Sequence, residues 1–282
     1  MREGIRVVPE ASAALAIRMV YWYNKSDYEK GWLIMIKCVI YDLDDTLYDF
    51  KVVNEPAFAK MCEEAEKRFG ISAEKFGEVF ASAYRGVGDR MPEEILELEP
   101  AGVDVAPVHS RTLRINYTLE KLGLPLFPHV LDLYDIYWDY ILEHMQKEPY
   151  IEEVMQELKR RGIRIGIGTN MTAHIQYHKV NGLGLGPYID FMMTSDESIF
   201  DKPDERFFRM VVGKAGCAPE ECLFVGDNYI YDYGGATRSG LNGLWYNRLE
   251  KPWNRVSEEL KQEAIRKNVM ITDHRQVLEH LG

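Results

Sequence analysis

The chain has no long apolar run, no clustered cysteines and no excess of positive charge, and each absence removes a class of protein. Near the start, the mostly apolar stretch 11–16 is followed by Arg18 and by Asn24-Lys25-Ser26-Asp27. It is far shorter than the roughly 20 apolar residues needed to cross a bilayer. It also lacks the clean apolar core and cleavage site of a secretory leader. The four cysteines, Cys38, Cys62, Cys217 and Cys222, form no CxxC pair. That pattern points to a reducing, cytoplasmic setting rather than a disulfide framework. Cys38, inside an apolar segment, reads as a small hydrophobe. Acids outnumber bases 45 to 34, for a net charge of -11 and a pI near 5.2. Such a surface repels nucleic-acid backbones and anionic membranes, so neither is the expected partner. A small phosphate ester can still be handled where a metal ion and a lysine sit locally. No repeat, low-complexity tract or long run of like charge interrupts the chain.

What is present is enough apolar material, 46% of 282 residues, for one large core or a core with a smaller module. Apolar runs suited to buried parallel strands occur at 36–41, 163–168, 191–194, 222–225, 243–246 and 269–272. Helical stripes lie between them: Ile151, Val154, Met155 and Leu158 form one, and Phe207, Phe208, Val211, Val212 and Ala215 another. The alternation predicts an α/β fold, a doubly wound parallel sheet with helices on both faces. Residues 50–147 break it and read as helix, starting at Pro56, with stripes at Ala57, Met61, Ala65, Phe69 and at Phe76, Val79, Phe80, Ala83, Tyr84. Further helices are expected near 109–122 and 130–145, with breaks at 86–92 and 100–107. An all-helical insert after the first strand lies over the carboxyl ends of the strands, where such sheets bind ligands, so we read it as a cap. Residues 35–49 and 148–282 then form the core. Met35 directly precedes the first strand, and residues 1–34 are expected to be an appendage, from an upstream start-site assignment. Intact mass of the native protein tests that; a mass matching initiation at Met1 would count against it.

The chemistry gathers at strand ends. The first strand runs into Asp42-Leu43-Asp44-Asp45-Thr46. Buried like charges need a cation or a job to offset their cost. Residues two apart on a strand face the same way, so Asp42 and Asp44 can address one point while Leu43 faces away. Such a pair suits a nucleophile with a general acid/base, or two ligands of a hard metal ion. The second strand ends Gly166-Ile167-Gly168-Thr169-Asn170, whose glycines and hydroxyl can hold phosphate oxygens or simply cap a helix. Lys202, before Pro203, is placed to act as a point charge on a phosphate. The fourth strand ends Val225-Gly226-Asp227, with Asp232 five positions on. Asp227 can complete an oxygen shell for magnesium, and Asp232 can support Lys202 or the metal's waters.

Asp42-x-Asp44-x-Thr46, then Thr169, then Lys202-Pro203, then Gly226-Asp227-x-x-x-x-Asp232 resembles the four ordered motifs of the haloacid dehalogenase-like hydrolase superfamily, over about residues 35–282. Each motif is weak alone; the ordered set is specific. The helical insert resembles the type-one cap of the superfamily's first subfamily. The resemblance implies a Rossmann-like core and a phosphatase. It makes Asp42 the nucleophile that becomes an aspartyl phosphate and Asp44 the acid/base. It assigns Thr169 and Lys202 to the phosphoryl oxygens, and Mg2+ to the Asp42 carboxylate, the Asp44 carbonyl and Asp227. Asp232 orients the site.

Carbon–halogen hydrolases of the superfamily typically lack the second acid of the first motif, and hexose-phosphate mutases commonly have Gly in place of Asp45. A catalytically silent binding module would have lost one of Asp42, Asp44, Lys202 or Asp227. A phosphatase acting on a small phosphate ester therefore leads. The run from Asp42 to Tyr48 is similar to that of pyrimidine 5'-nucleotidase relatives, which implies a nucleoside 5'-monophosphate, with Tyr48 stacking on the base or sugar. The alternative is a sugar-phosphate or phosphoglycolate phosphatase. Asn170, Tyr48 and Arg111 are the candidate substrate contacts; Arg111 and Arg114 at that spacing also fit a solvated face. His174 and His178 lack the HExxH signature and read as solvent-facing.

Overall fold

Six short apolar segments pair into one parallel sheet in the computed structural model, which describes residues 35–86, 109–248 and 256–282. The expected appendage at 1–34 and the breaks at 86–92 and 100–107 lie outside the described residues but for Gly86. In chain order the strands are β1 (Cys38–Tyr41), β2 (Arg164–Thr169), β3 (Phe191–Thr194), β4 (Cys222–Gly226), β5 (Asn242–Tyr246) and β6 (Met270–Ile271). Their order across the sheet is β3-β2-β1-β4-β5-β6, every pairing parallel. All six match the apolar runs read from the sequence.

Alternation along β1 explains the two layers. Cys38 and Ile40 join one apolar cluster with Phe207, Phe208 and Val211 of a helix spanning Glu205–Ala215, and Val39 and Tyr41 join another with Val154, Met155 and Leu158 of a helix spanning Ile151–Arg160. Each such large apolar side chain, fully buried, contributes about 2 kcal/mol, so both faces are held by burial rather than by polar pairing.

Between β1 and the Ile151–Arg160 helix lie, among the described residues, four further helices: α1 (Phe50–Phe69), α2 (Ala73–Gly86), α3 (Arg111–Lys121) and α4 (His129–His144). The first begins earlier than expected. Asp49 caps α1, its carboxylate accepting from the Val52 amide at 3.4 Å, and Pro56 falls inside the helix rather than at its start. A proline there leaves the Val52 carbonyl without its helical donor; Val52 is 67% exposed, which leaves that turn open to water. Val53, Ala57, Met61 and Ala65 still form the buried stripe. The chain enters and leaves this helical segment side by side. Tyr48 pairs antiparallel with Lys147, and the Glu148 amide donates to the Leu47 carbonyl at 2.8 Å. Glu148 is buried there, accepting from Tyr246 Oη at 2.8 Å and Arg248 Nη2 at 2.6 Å, which ties both crossings to the end of β5.

Among the described residues, no helix is long and apolar enough to cross a membrane.

Candidate active site

The sheet's order reverses at β1: the chain first builds outward through β2 and β3, then returns to β4 on the other side. Ligands of such sheets bind at this switch, outside the strands' carboxyl ends. Asp42 sits there because its amide donates to the Val225 carbonyl at 2.9 Å, extending β1 by one residue against β4. Leu43 turns into the core, and the loop closes as the Leu47 amide donates to the Leu43 carbonyl at 2.9 Å. Asp45 takes a left-handed conformation, φ 66°, which a short polar side chain tolerates. Its Oδ1 accepts from the Phe50 amide, so Asp45 helps start α1.

Asp42, Asp44, Thr169, Asn170, Lys202, Asp227 and Asp232 line one cleft of about 160 Å³. Lys202 Nζ lies at its floor, donating to Asp42 Oδ1 at 2.6 Å and Asp232 Oδ1 at 2.7 Å. All three side chains are almost wholly buried. Burial opposes the charge on Lys202, but the two carboxylates outweigh it and hold the ammonium well above its ordinary range. Burial pushes the Asp42 carboxyl up to about 7; Lys202 opposes that push, and Asp232 and Asp44 add to it. Asp232 lies in a π-helical turn, Tyr229–Gly234, and its second oxygen accepts from the Asn228 amide at 2.9 Å. That approach needs Gly226, where a Cβ would fall 2.3 Å from the Asp232 carboxylate.

Asp227 is held from both sides. Its amide donates to Thr46 Oγ1 at 3.0 Å, and its carbonyl accepts from Trp245 Nε1 at 2.8 Å. Asp42, Asp227 and Asp232 can each offer an oxygen within 4.8 Å of the others.

A family model for haloacid dehalogenase-like hydrolases matches residues 36–240. The chain belongs to that family. Among curated relatives of this haloacid dehalogenase-like hydrolase, the ribulose-1,5-bisphosphate 5-phosphatase of Halopiger xanaduensis is 31% identical over 219 residues, covering 77% of this chain and 87% of the relative. The glyceraldehyde 3-phosphate phosphatase of Methanothermobacter thermautotrophicus is 27% identical over 213 residues, covering 76% and 86%. Among solved structures, a HAD phosphatase from Thermococcus onnurineus has a TM-score of 0.63 at 21% identity, covering 88% of this chain and 98% of that one. A 2-haloacid dehalogenase from Pseudomonas syringae has a TM-score of 0.60 at 23% identity, covering 88% and 98%. At those identities the structural likeness shows the fold. Family and relatives together identify an enzyme, a phosphoric monoester hydrolase.

The three expected substrate contacts, Tyr48, Asn170 and Arg111, have these surroundings. Tyr48 is fully buried, its ring edge-on to Phe50, and its hydroxyl donates to Asp44 Oδ1, so it has no open face on which a base could stack. Asn170 grips the main chain of Lys202, accepting from its amide at 2.8 Å and donating to its carbonyl at 3.0 Å; it positions the lysine. Arg111 is half-buried, its guanidinium 5.5 Å from the Tyr137 ring centre, not part of a solvated face. Arg114 lies against Phe80 at 4.1 Å and donates from Nε to the Phe80 carbonyl. His174 and His178 are exposed, as expected.

Other residues complete the hydrolase's site without belonging to any motif. On the helix spanning Ala173–Gly182, Gln176 Nε2 donates to Thr169 Oγ1 at 2.7 Å and to Asp44 Oδ2 at 3.0 Å, and Lys179 Nζ donates to Asp44 Oδ1 at 2.6 Å. Burial alone would raise the Asp44 carboxyl, but Lys179, Tyr48 and Gln176 outweigh it and hold it below the usual range.

His274 comes from the far end of the chain. Its Nε2 donates to the Thr46 carbonyl at 2.9 Å, between the rings of Tyr41 and Tyr246. Burial pushes its pKa down to about 4, against the pull of the Thr46 carbonyl. The unfolded chain, with an ordinary histidine near 6.5, therefore binds the proton first as pH falls. The His274 contribution is whole above about pH 6.5 and declines until about pH 4, a loss of about 3 kcal/mol. Urea unfolding of the wild type and of His274→Gln across this window should show a flatter pH profile in the variant. Parallel profiles would mean the acid sensitivity arises elsewhere.

Proposed function

We propose that this phosphatase is Mg2+-dependent and hydrolyses a small phosphate monoester through an aspartyl phosphate on Asp42. The observation that carries the reading is the meeting of Asp42, Lys202, Thr169 and Asp227 in one cleft at the sheet's switch point. Asp44 at its edge favours phosphate ester over carbon–halogen chemistry.

The donor set fits a hard divalent cation, because every available ligand atom is an oxygen. Both oxygens of Asp232 already accept, from Lys202 and from the Asn228 amide, so the Asp42 carboxylate, the Asp44 carbonyl and Asp227 would hold the ion. When bound, such an ion offsets the charge of the phosphate dianion as it meets a carboxylate.

The chain's own groups perform the remaining work. Lys202 and the Thr169 hydroxyl hold phosphoryl oxygens. Thr169 Oγ1 accepts from Gln176, which leaves the hydroxyl proton to donate toward the substrate. A carboxylate oxygen of Asp42 forms a bond to phosphorus as the ester P–O bond breaks, and Asp44 gives a proton to the departing alkoxide. Asp44 then takes a proton from the water that attacks the aspartyl phosphate, releasing phosphate and restoring Asp42. The helical segment α1–α4 acts as a cap, joined to the core through the paired crossings at Tyr48 and Lys147. His109 Nε2 meets Asp201, next to Lys202, at 2.8 Å and would fasten the cap side to the core. Closure would exclude water from the transfer step.

With Tyr48 buried, a nucleoside loses its stacking platform, and a sugar-phosphate-like ester is favoured. A phosphatase screen over nucleoside monophosphates, sugar phosphates and phosphoglycolate tests the reading. Turnover should appear with Mg2+, vanish on chelation and return on adding Mg2+ back. Full turnover in excess chelator would overturn the metal assignment.

A further inference from the structure

Lys179 belongs to none of the four motifs, yet it is a charged side chain 1% exposed, bonded to Asp44 of the cleft lining. Its ammonium sits among three rings, 5.0 Å from the centre of Trp138, 5.3 Å from Phe50 and 5.8 Å from Tyr48. Its one hydrogen-bond partner among the described residues is the Asp44 carboxylate. Tyr137, whose ring centre is 4.8 Å from that of Trp138, carries the second cation, Arg111. Arg111 Nε is buried with no hydrogen-bond partner among the described residues. An orphaned buried guanidinium donor costs free energy unless something that accepts hydrogen bonds arrives to meet it. The two cations are near enough that Arg111 works against the charge on Lys179. In a protein of net charge -11, two cations set together beside the acid/base are a local inversion of sign.

We infer that Lys179 and Arg111 form a second anion subsite, so that the substrate is a phosphate ester whose leaving group carries another anionic group, a carboxylate or a second phosphate. The inference rests on the phosphatase reading and names its substrate class. It also gives the subsite a part in the reaction. Asp44 is turned toward Lys179, Tyr48 and Gln176, which all donate to it, rather than toward a leaving oxygen. A second anion that takes over the Lys179 ammonium releases Asp44 Oδ1 from that partner, and the carboxyl group, no longer held ionised by that cation, can take up a proton and turn to the departing oxygen. Recognition of the second anion and delivery of the acid are in this way one event. An ester without the second anion leaves Asp44 where it is.

The test uses the full chain with Mg2+ and four esters: p-nitrophenyl phosphate, glycerol 3-phosphate, 3-phosphoglycerate and ribulose 1,5-bisphosphate. The first two lack a second anion, the third carries a carboxylate and the fourth a second phosphate. Wild-type kcat/KM should be at least about tenfold higher for 3-phosphoglycerate or ribulose 1,5-bisphosphate than for glycerol 3-phosphate, as expected for charge-assisted hydrogen bonds; which one leads identifies the anion. Arg111→Gln should shrink that ratio about tenfold or more, mainly through KM. Lys179→Gln should shrink it as well and also lower kcat, and Lys179→Arg should restore part of the ratio. Because Lys179 is buried, its variants are compared by thermal melting, and Arg111→Gln carries the test alone if they fail to fold. Equal wild-type rates on all four esters, or a ratio unmoved by Arg111→Gln, would overturn the subsite while leaving the phosphatase reading intact. No hydrolysis of any ester would overturn both.

Discussion

Asp42→Asn is expected to lose at least about 10⁴-fold in kcat, the scale seen when a nucleophile is removed from a preorganised site. The amide keeps the shape and can still accept from Lys202, so substrate affinity should stay within a few-fold. Rapid quench followed by intact-mass measurement should find a transient adduct of one phosphoryl group on the wild type and none on the variant. Residual turnover within tenfold of wild type would remove Asp42 from the nucleophile's role. The assignment depends on where Asp42 stands: it follows the central strand, it is 6% exposed, and one oxygen is already aligned by Lys202.

The second large effect is on stability. Lys202→Met takes away the one charge shared by Asp42 and Asp232, whose side chains are 9% and 2% exposed. Breaking a buried ion pair by removing one partner costs about 3–5 kcal/mol, because the other charge is left without compensation. Urea unfolding in metal-free buffer should show a loss of that size, together with loss of turnover. Added Mg2+ should recover part of the stability, since a cation bound by Asp42 and Asp227 offsets the same charge. A variant as stable as wild type without metal would show that the triad is not the floor of the site. Methionine fills much of the lysine's volume, so the measured loss reports charge more than a cavity.

The fold was legible because two periodicities never collide along the core. Buried parallel strands appear as short apolar runs, and helices such as Ile151–Arg160 show Ile151, Val154, Met155 and Leu158 at helical spacing. The motif acids and Lys202 were legible because strand ends in a doubly wound sheet converge, so residues 160 positions apart can be expected to meet. Pro56 misled because proline is tolerated where the carbonyl it orphans faces water. Tyr48 misled for a different reason. Its place after the nucleophile loop is right, but the crossing of two chain segments there leaves a backbone ladder that packs the ring inward. Gln176 and Lys179 fall in the buried stripe of their helix, beside Ile175 and Val180. A polar pair interrupting an apolar stripe is the signal that was available for them. His274 had none: its partner lies 228 positions upstream, and no local pattern announces such a contact.

That last contact has a consequence for how the enzyme comes into being. His274 opens the final 3-10 turn, His274–His280, and the Ile36 amide donates to the Leu281 carbonyl at 3.0 Å. The strand carrying the nucleophile is among the earliest described parts to leave the ribosome, while the residues that brace its loop leave after all six strands. Synthesis proceeds from the amino end at roughly 5–20 residues per second. A nascent chain can therefore hold all four motifs, pair β1 with β4 and still lack the brace on Thr46. The catalytic loop is completed only once the His274–His280 turn has emerged and folded back, which makes that turn the step that converts a folded sheet into a finished enzyme.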